Sequence, residues 1–317
     1  MIEYDKALYV PALDLWLDAT RVKDFSFVSH AHTDHATRHR RVLATPETLV
    51  LLEHRRGRTQ AVTAPFNQPL TLADHQVTLF PAGHILGSAQ ILIEGDRSLV
   101  YTGDFKLHAG LCARPAEVRT CDILVMECTF GKPHYVFPPF RETIERLHDF
   151  IQKTMLEGMI PVVLGYTLGK GQEALKIVGQ LGYPAVVHES IHSIARIYEK
   201  LGVEFGSYEK FPADNLEGKV VVAPTYLRRK KLREHLGRFR TVYLTGWALD
   251  RDRRFALGVD LVLPLSDHAD FNELVEYVRR AEPEKVYTVH GTPGFAAHLR
   301  DLGFDARHLP QRQMELF

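Results

Sequence analysis

The stretch FSFVSHAHTDH, residues 25–35, constrains this chain more than any other. Three histidines (His30, His32, His35) and Asp34 crowd into a few positions directly after an apolar run. Side chains of this kind are poor core material, because a buried polar group without a partner is costly. Placed at the end of a strand, they must hold something. The pattern repeats downstream: His84 follows VTLFPAG, Asp104 follows SLVYTG and His290 follows KVYTV. If those strands share a sheet, the polar residues converge on one rim, where a rigid scaffold fixes them. Imidazoles with carboxylates and no thiolates suit Zn(II) or Mn(II). Together these groups exceed what one tetrahedral ion takes, so two divalent ions a few ångströms apart are expected.

The rest of the composition narrows the setting. Lys plus Arg and Asp plus Glu both number 39 in 317 residues, so net charge gives no global pull toward nucleic acid or membrane. Cys112, Cys121 and Cys128 show no CxxC spacing, which argues against a disulfide framework or a thiolate zinc site and for a reducing compartment. The start, MIEYDKALYV, lacks the basic and long apolar regions of a signal peptide, and no apolar run is long enough for a membrane span. The expectation is a soluble cytoplasmic protein.

Up to about residue 130 the chain reads as short β-runs broken by turns. From 141 it alternates amphipathic helices with apolar strands (RETIERLHDFIQKTMLEG, PVVLGY, KGQEALKIVGQLG, AVVHES), the pattern of βα units on a parallel sheet. After TVYLTGW short strands return. We therefore expect a discontinuous first domain, 1–140 plus 255–317, interrupted by an inserted α/β domain at 141–254.

HxHxDH followed in order by a single His, a single Asp and a late His resembles the signature of the metallo-β-lactamase fold. The resemblance implies an αββα sandwich and a division of labour among the ligands. His30, His32 and His84 would hold one metal; Asp34, His35 and His290 would hold the second, with Asp104 bridging. Asp18, in LWLDAT, resembles the family's early aspartate that orients the ligands. The long gap between Asp104 and His290, with VMECTFG, GYTLGKGQE and PLSDHADF inside it, resembles the β-CASP nucleases. Within that group the blocks PAGHILGSAQ, ECTFGKPHY, LSDHADF and TVHGTP are most similar to the bacterial DNA ligase-associated exonucleases, along nearly the whole chain. Cys128 departs from that pattern, where Ser is usual.

What the resemblance implies is a two-metal DNA nuclease acting in repair, with a functional link to a DNA ligase and helicase. It would leave 5′-phosphate and 3′-hydroxyl ends. Asp34, Asp104, Glu127 and His268 would be the catalytic residues, His268 protonating the leaving oxygen while Glu127 holds its tautomer. The alternative with the same chemistry is an RNA-processing β-CASP ribonuclease, which His290 also suits. A small-molecule hydrolase and a non-catalytic DNA-binding factor are rivals from other classes.

Three further features concern partners. Lys170, in the Gly-rich TLGKG turn that opens a helix, is a candidate phosphate contact. The densest basic stretch, YLRRKKLREHLGRFR, offers Arg228, Arg229, Lys230 and Lys231 to a polynucleotide backbone. Against these stands the plainer expectation of a Gly-rich turn and a solvated helix face. The tail at 311–317 ends QMELF, which resembles the bacterial sliding-clamp-binding peptide. Gln313 would set register there, with Met314, Leu316 and Phe317 filling an apolar pocket.

Overall fold

The computed structural model describes residues 2–4, 7–213, 215–227, 229–250 and 258–309. Arg228, the side chains of Arg229, Lys230 and Lys231, and the tail with Gln313, Met314, Leu316 and Phe317 lie outside the described residues. The chain divides into two compact units, one made of the residues up to Val136 together with those from His268 onward, the other Phe137–Asp267.

The first unit is a sandwich of two sheets. One runs β1 (Glu3–Tyr4), β2 (Leu8–Val10), β3 (Leu15–Leu17), β4 (Phe25–Phe27), β5 (Arg41–Ala44) and β6 (Gln60–Thr63), in that order. The other holds β7 (Leu70–Leu72), β8 (His75–Pro81), β9 (Ala89–Glu94), β10 (Leu99–Tyr101), β11 (Ile123–Glu127), β18 (Lys285–Val289) and β19 (Ala306–His308), again in that spatial order. Its first four strands are antiparallel, and β10, β11, β18 and β19 are parallel.

Period-two alternation assigns the faces of this second sheet. Leu99, Tyr101, Ile123 and Val125 share one core with Leu15, Leu17, Phe25 and Phe27 of the first sheet. Their sequence neighbours Val100, Leu124 and Met126 share another with two helices, Phe271–Ala281 and Pro293–Asp301. The first of these helices buries Leu274, Val275, Tyr277, Val278 and Ala281, an apolar stripe at helical spacing. A reciprocal cap opens it: Asp270 accepts from Glu273 N–H and Glu273 accepts from Asp270 N–H. On the outer side of the first sheet, α1 (Pro46–Arg56) lies against β6. This is the expected αββα order.

The second unit is a six-stranded, all-parallel sheet: β12 (Ile160–Gly165), β13 (Ala185–Val187), β14 (Tyr208–Lys210), β15 (Val220–Pro224), β16 (Phe239–Leu244) and β17 (Leu261–Leu263), ordered 14-13-15-12-16-17. Its helices are α2 (Phe140–Leu156), α3 (Lys170–Gln180), α4 (Glu189–Lys200) and α5 (Arg229–Leu236). The division differs from the expected 141–254 boundaries, chiefly at the far end. Leu261–Leu263 pairs in parallel with Val242–Leu244, so it extends the inserted sheet rather than returning to the first unit. A short apolar run reads the same in either sheet, and only its pairing tells them apart.

Cys121 and Cys128 are buried, and desolvation pushes each thiol up to about 12. Near pH 8 the thiolate fraction is then on the order of 1 in 10,000. The native protein should therefore release at most one equivalent from a disulfide thiol reagent, from half-buried Cys112. Urea should expose all three; rapid native reaction of Cys121 or Cys128 would show that the cores around them are open.

Candidate metal centre

Every sequence-derived ligand sits where a strand of the first unit ends. The His30–His35 segment follows β4, His84 follows β8, Asp104 follows β10, Glu127 closes β11, and His290 follows β18. Two of the residues are held in left-handed backbone, Asp18 at φ 45° and His290 at φ 54°. Non-glycine residues rarely adopt this conformation, and it clusters at functional positions. Gly103, at φ 54°, allows the close approach beside them. A Cβ there would stand 2.5 Å from Ser29 Cβ.

The side chains converge tightly. His32 Nδ1 lies 3.0 Å from both His30 Nε2 and His84 Nε2. Asp104 Oδ2 lies 3.3 Å from His35 Nε2, 3.6 Å from His30 Nε2 and 4.0 Å from His84 Nε2. His290 Nδ1 is 3.4 Å from the other oxygen, Oδ1, which is buried without a hydrogen bond. Asp34 Oδ2 stands 3.8 Å from His35 Nε2 and is partly open to solvent.

This donor set fits a divalent cation. Nitrogen ligands at 2.0–2.1 Å around a tetrahedral zinc are about 3.3 Å apart, close to the spacing of the His30, His32 and His84 nitrogens. Three groups of ligand atoms meet within 4.8 Å of one another: His30 with His32 and His84, His30 with His35 and Asp104, and His84 with Asp104 and His268.

The charges follow from this crowding. Burial, then the neighbouring His35, His84 and His32, hold His30 well below the ordinary imidazole range, which keeps its ring neutral and its lone pair available. Burial also pulls His35 down, but Asp104 and Asp18 outweigh it and hold His35 well above that range. Asp104, though buried, is held well below the usual carboxylate range by His35 and His268. Two buried carboxylates thus face one another across His35, and positive charge between them is strongly favoured.

Asp18 braces the cluster. Its Oδ2 accepts from Ser29 Oγ at 2.6 Å and Tyr101 OH at 2.9 Å and meets His35 Nδ1 at 2.8 Å, while Oδ1 accepts from Ser29 N–H at 2.7 Å. Because Asp18 holds Nδ1 of His35, the ring turns Nε2 toward Asp104. A second pair stands beside it. Glu127 Oε1 meets His268 Nδ1 at 2.8 Å and accepts from Phe105 N–H at 2.9 Å. A carboxylate only accepts, so Nδ1 of His268 carries the proton of that contact, and Nε2 is its other ring nitrogen.

Comparison with known proteins agrees with this geometry. Residues 257–310 match the family described as "Zn-dependent metallo-hydrolase RNA specificity domain". The chain is 39% identical over 321 residues to the "Probable DNA ligase" of Opitutus terrae, covering 99% of this chain and 32% of that protein. It is 28% identical to the "5' exonuclease Apollo" of Gallus gallus, over 90% of this chain and 62% of that one. It is 23% identical to the "RNase aCSPSF2" of Saccharolobus solfataricus, over 89% and 71%. The chain belongs to the β-CASP group of the metallo-β-lactamase fold. It spans only about a third of the first of these relatives. A crystal structure of a protein of unknown function from Enterococcus faecalis V583 shares the fold, with TM-score 0.62 at 15% identity over 91% of this chain and 79% of that one.

Not every expected contact of this β-CASP protein joins the centre. Lys170 is buried in the second unit, its Nζ 2.6 Å from Asp267 Oδ1 and 3.5 Å from Glu173 Oε2. An ammonium so placed serves the protein's own carboxylates rather than an exposed phosphate. The helix start it occupies is also served internally, since Gln172 Oε1 accepts from Gly169 N–H. Other residues were not foreseen. Ser29 and Tyr101 hold Asp18. Arg55 of α1 donates to Ala31 O and to Thr33 Oγ1, clamping the turn between the first histidines. Nothing in the spacing of Tyr101 or Arg55 distinguishes them from a strand residue and a surface cation.

No helix among the described residues is long and apolar enough to cross a membrane. Replacing Asp18 by Ala should weaken zinc binding about 10- to 100-fold, read by competition with a chromogenic chelator. Unchanged zinc affinity would mean that the Asp18 network does not orient the ligands.

Proposed function

We propose that this chain is a two-metal-dependent DNA nuclease acting in repair, cutting phosphodiester bonds to leave 5′-phosphate and 3′-hydroxyl ends. The observation that carries the DNA assignment is the 39% identity, along 99% of the chain, to part of a protein named as a DNA ligase. The likeness to a protein named as a 5′ exonuclease supports the exonuclease mode.

His30, His32 and His84 would hold one cation, Asp34, His35 and His290 the other, with Asp104 between them. Zinc, or manganese in its place, supplies when bound the charge that neutralises a phosphodiester and activates water near neutral pH. The chain's own residues do the rest. Asp104 would face both groups, its Oδ2 near His30, His35 and His84 and its Oδ1 near His290. Asp18 fixes the His35 ring. When water adds to phosphorus and the bond to the 3′ oxygen breaks, that oxygen needs a proton. As an imidazolium, His268 would deliver it from Nε2 and return to the neutral ring, while Glu127 keeps the other proton on Nδ1.

In this reading the protein works in the cytoplasm alongside a DNA ligase and helicase, and Gln313, Met314, Leu316 and Phe317 tether it to the sliding clamp. The second reading is RNA processing, favoured by the match to a domain described by RNA specificity and by relatives named as ribonucleases.

A zinc- or manganese-supported digest of 5′- and 3′-labelled single- and double-stranded DNA beside RNA separates the two. DNA should be degraded from an end, and His268→Ala should lower the rate about 100- to 10,000-fold while retaining its metals. Preferential cutting of RNA would overturn the DNA assignment. Loss of metal in His268→Ala would make His268 a ligand instead of the acid.

A further inference from the structure

The second unit presents a surface that the metal chemistry does not use. Among the described residues only two tyrosine, phenylalanine or tryptophan side chains are exposed, Tyr166 at 43% and Tyr226 at 63%. Single exposed aromatics are ordinary, but these two follow the ends of adjacent, hydrogen-bonded strands. Tyr166 is the first residue past β12 and Tyr226 follows shortly after β15. These strands are hydrogen-bonded in parallel, with Gly165 paired to Pro224 and Thr225 N–H donating to Gly165 O. Both rings therefore stand at the carboxyl edge of a parallel sheet. In open α/β sheets, ligands bind at this edge.

The rings are held rather than loose. Tyr226 OH donates to Ser190 Oγ at 3.1 Å, and Ser190 is in turn bound to the ring of His188. His188 lies edge-on to Tyr226 at 6.1 Å. Tyr166 leans edge-on against Tyr243, at 6.5 Å. A ring pinned by its hydroxyl with a face left open loses little entropy when something stacks on it. Its neighbours at this edge, Thr225, Ser190 and His188, are polar, which suits a ligand with both a flat face and hydrogen-bonding edges. The chain continues directly from Tyr226 into Leu-Arg-Arg-Lys-Lys, the densest positive run in a protein of zero net charge. Flat faces on a polyanion describe the unpaired bases of a single-stranded polynucleotide.

We infer that Tyr166 and Tyr226 form a base-stacking platform that holds single-stranded nucleic acid by its bases. The inference rests on the nuclease reading and extends it to how the strand is gripped. It places on the protein a base-dependent, sequence-tolerant contact that is separate from recognition of phosphate.

The test is binding of the full-length, metal-loaded protein to two hydrolysis-resistant phosphorothioate 20-mers, one of thymidine and one abasic, by fluorescence anisotropy. Tyr226→Ala and Tyr166→Ala should each weaken thymidine 20-mer binding about 5- to 100-fold, since stacking on an aromatic is worth roughly 1–3 kcal/mol per base. Tyr226→Trp and Tyr166→Trp should bind within about threefold of the parent, because a stacking face is preserved. The abasic 20-mer should bind all forms alike, which also shows that the variants are folded. Alanine variants that bind thymidine as tightly as the parent, or that lose the abasic 20-mer equally, would overturn the platform while leaving the nuclease reading intact. A parent protein that neither binds nor cuts any polynucleotide would remove both.

Discussion

One carboxylate, Asp104, lies among four imidazoles: His30, His35, His84 and His290 each place a ring nitrogen within 4.0 Å of it. So much polar surface at a buried point is unfavourable unless charge and hydrogen bonds balance. The first unit is arranged to provide that balance. Its strands deliver the rings from β4, β8 and β18 to the end of β10, where Asp104 stands. Left-handed backbone at Asp18 and His290 and the missing side chain of Gly103 let the loops close around it.

Behind the ligands lies a layer that makes their orientation unique. Asp18 takes contacts from both atoms that Ser29 offers and from Tyr101, which fix the carboxylate against the His35 ring. Glu127, itself held by Phe105 N–H, braces the His268 ring through Nδ1. The two braces act on different rings. One turns Nε2 of His35 toward Asp104, and the other fixes the proton on Nδ1 of His268.

Much of this was legible in the chain itself. His30, His32, Asp34, His35, His84, Asp104 and His290 each follow an apolar strand run, and strands of one sandwich end at one rim, so their convergence follows from periodicity. The braces were less visible. Tyr101 reads as an ordinary strand residue, and its hydroxyl reaches a carboxylate 83 positions away. Arg55 reads as surface charge in a basic run, yet it is committed to the backbone at Ala31. Lys170 reads as a phosphate contact because Gly-rich turns at helix starts attract anions, but two carboxylates of its own unit claim it first. Leu261–Leu263 shows the remaining gap: a three-residue apolar strand carries no mark of the sheet it will join.

The central claim is that Asp104 sits between two cations rather than beside one. Metal content of the full chain, stripped with chelator, saturated with zinc and desalted, measured by inductively coupled plasma mass spectrometry, tests it directly. Two equivalents per chain, falling to one or fewer in Asp104→Ala, is the predicted result. A saturating single equivalent in the parent, or two retained by Asp104→Ala, would contradict it.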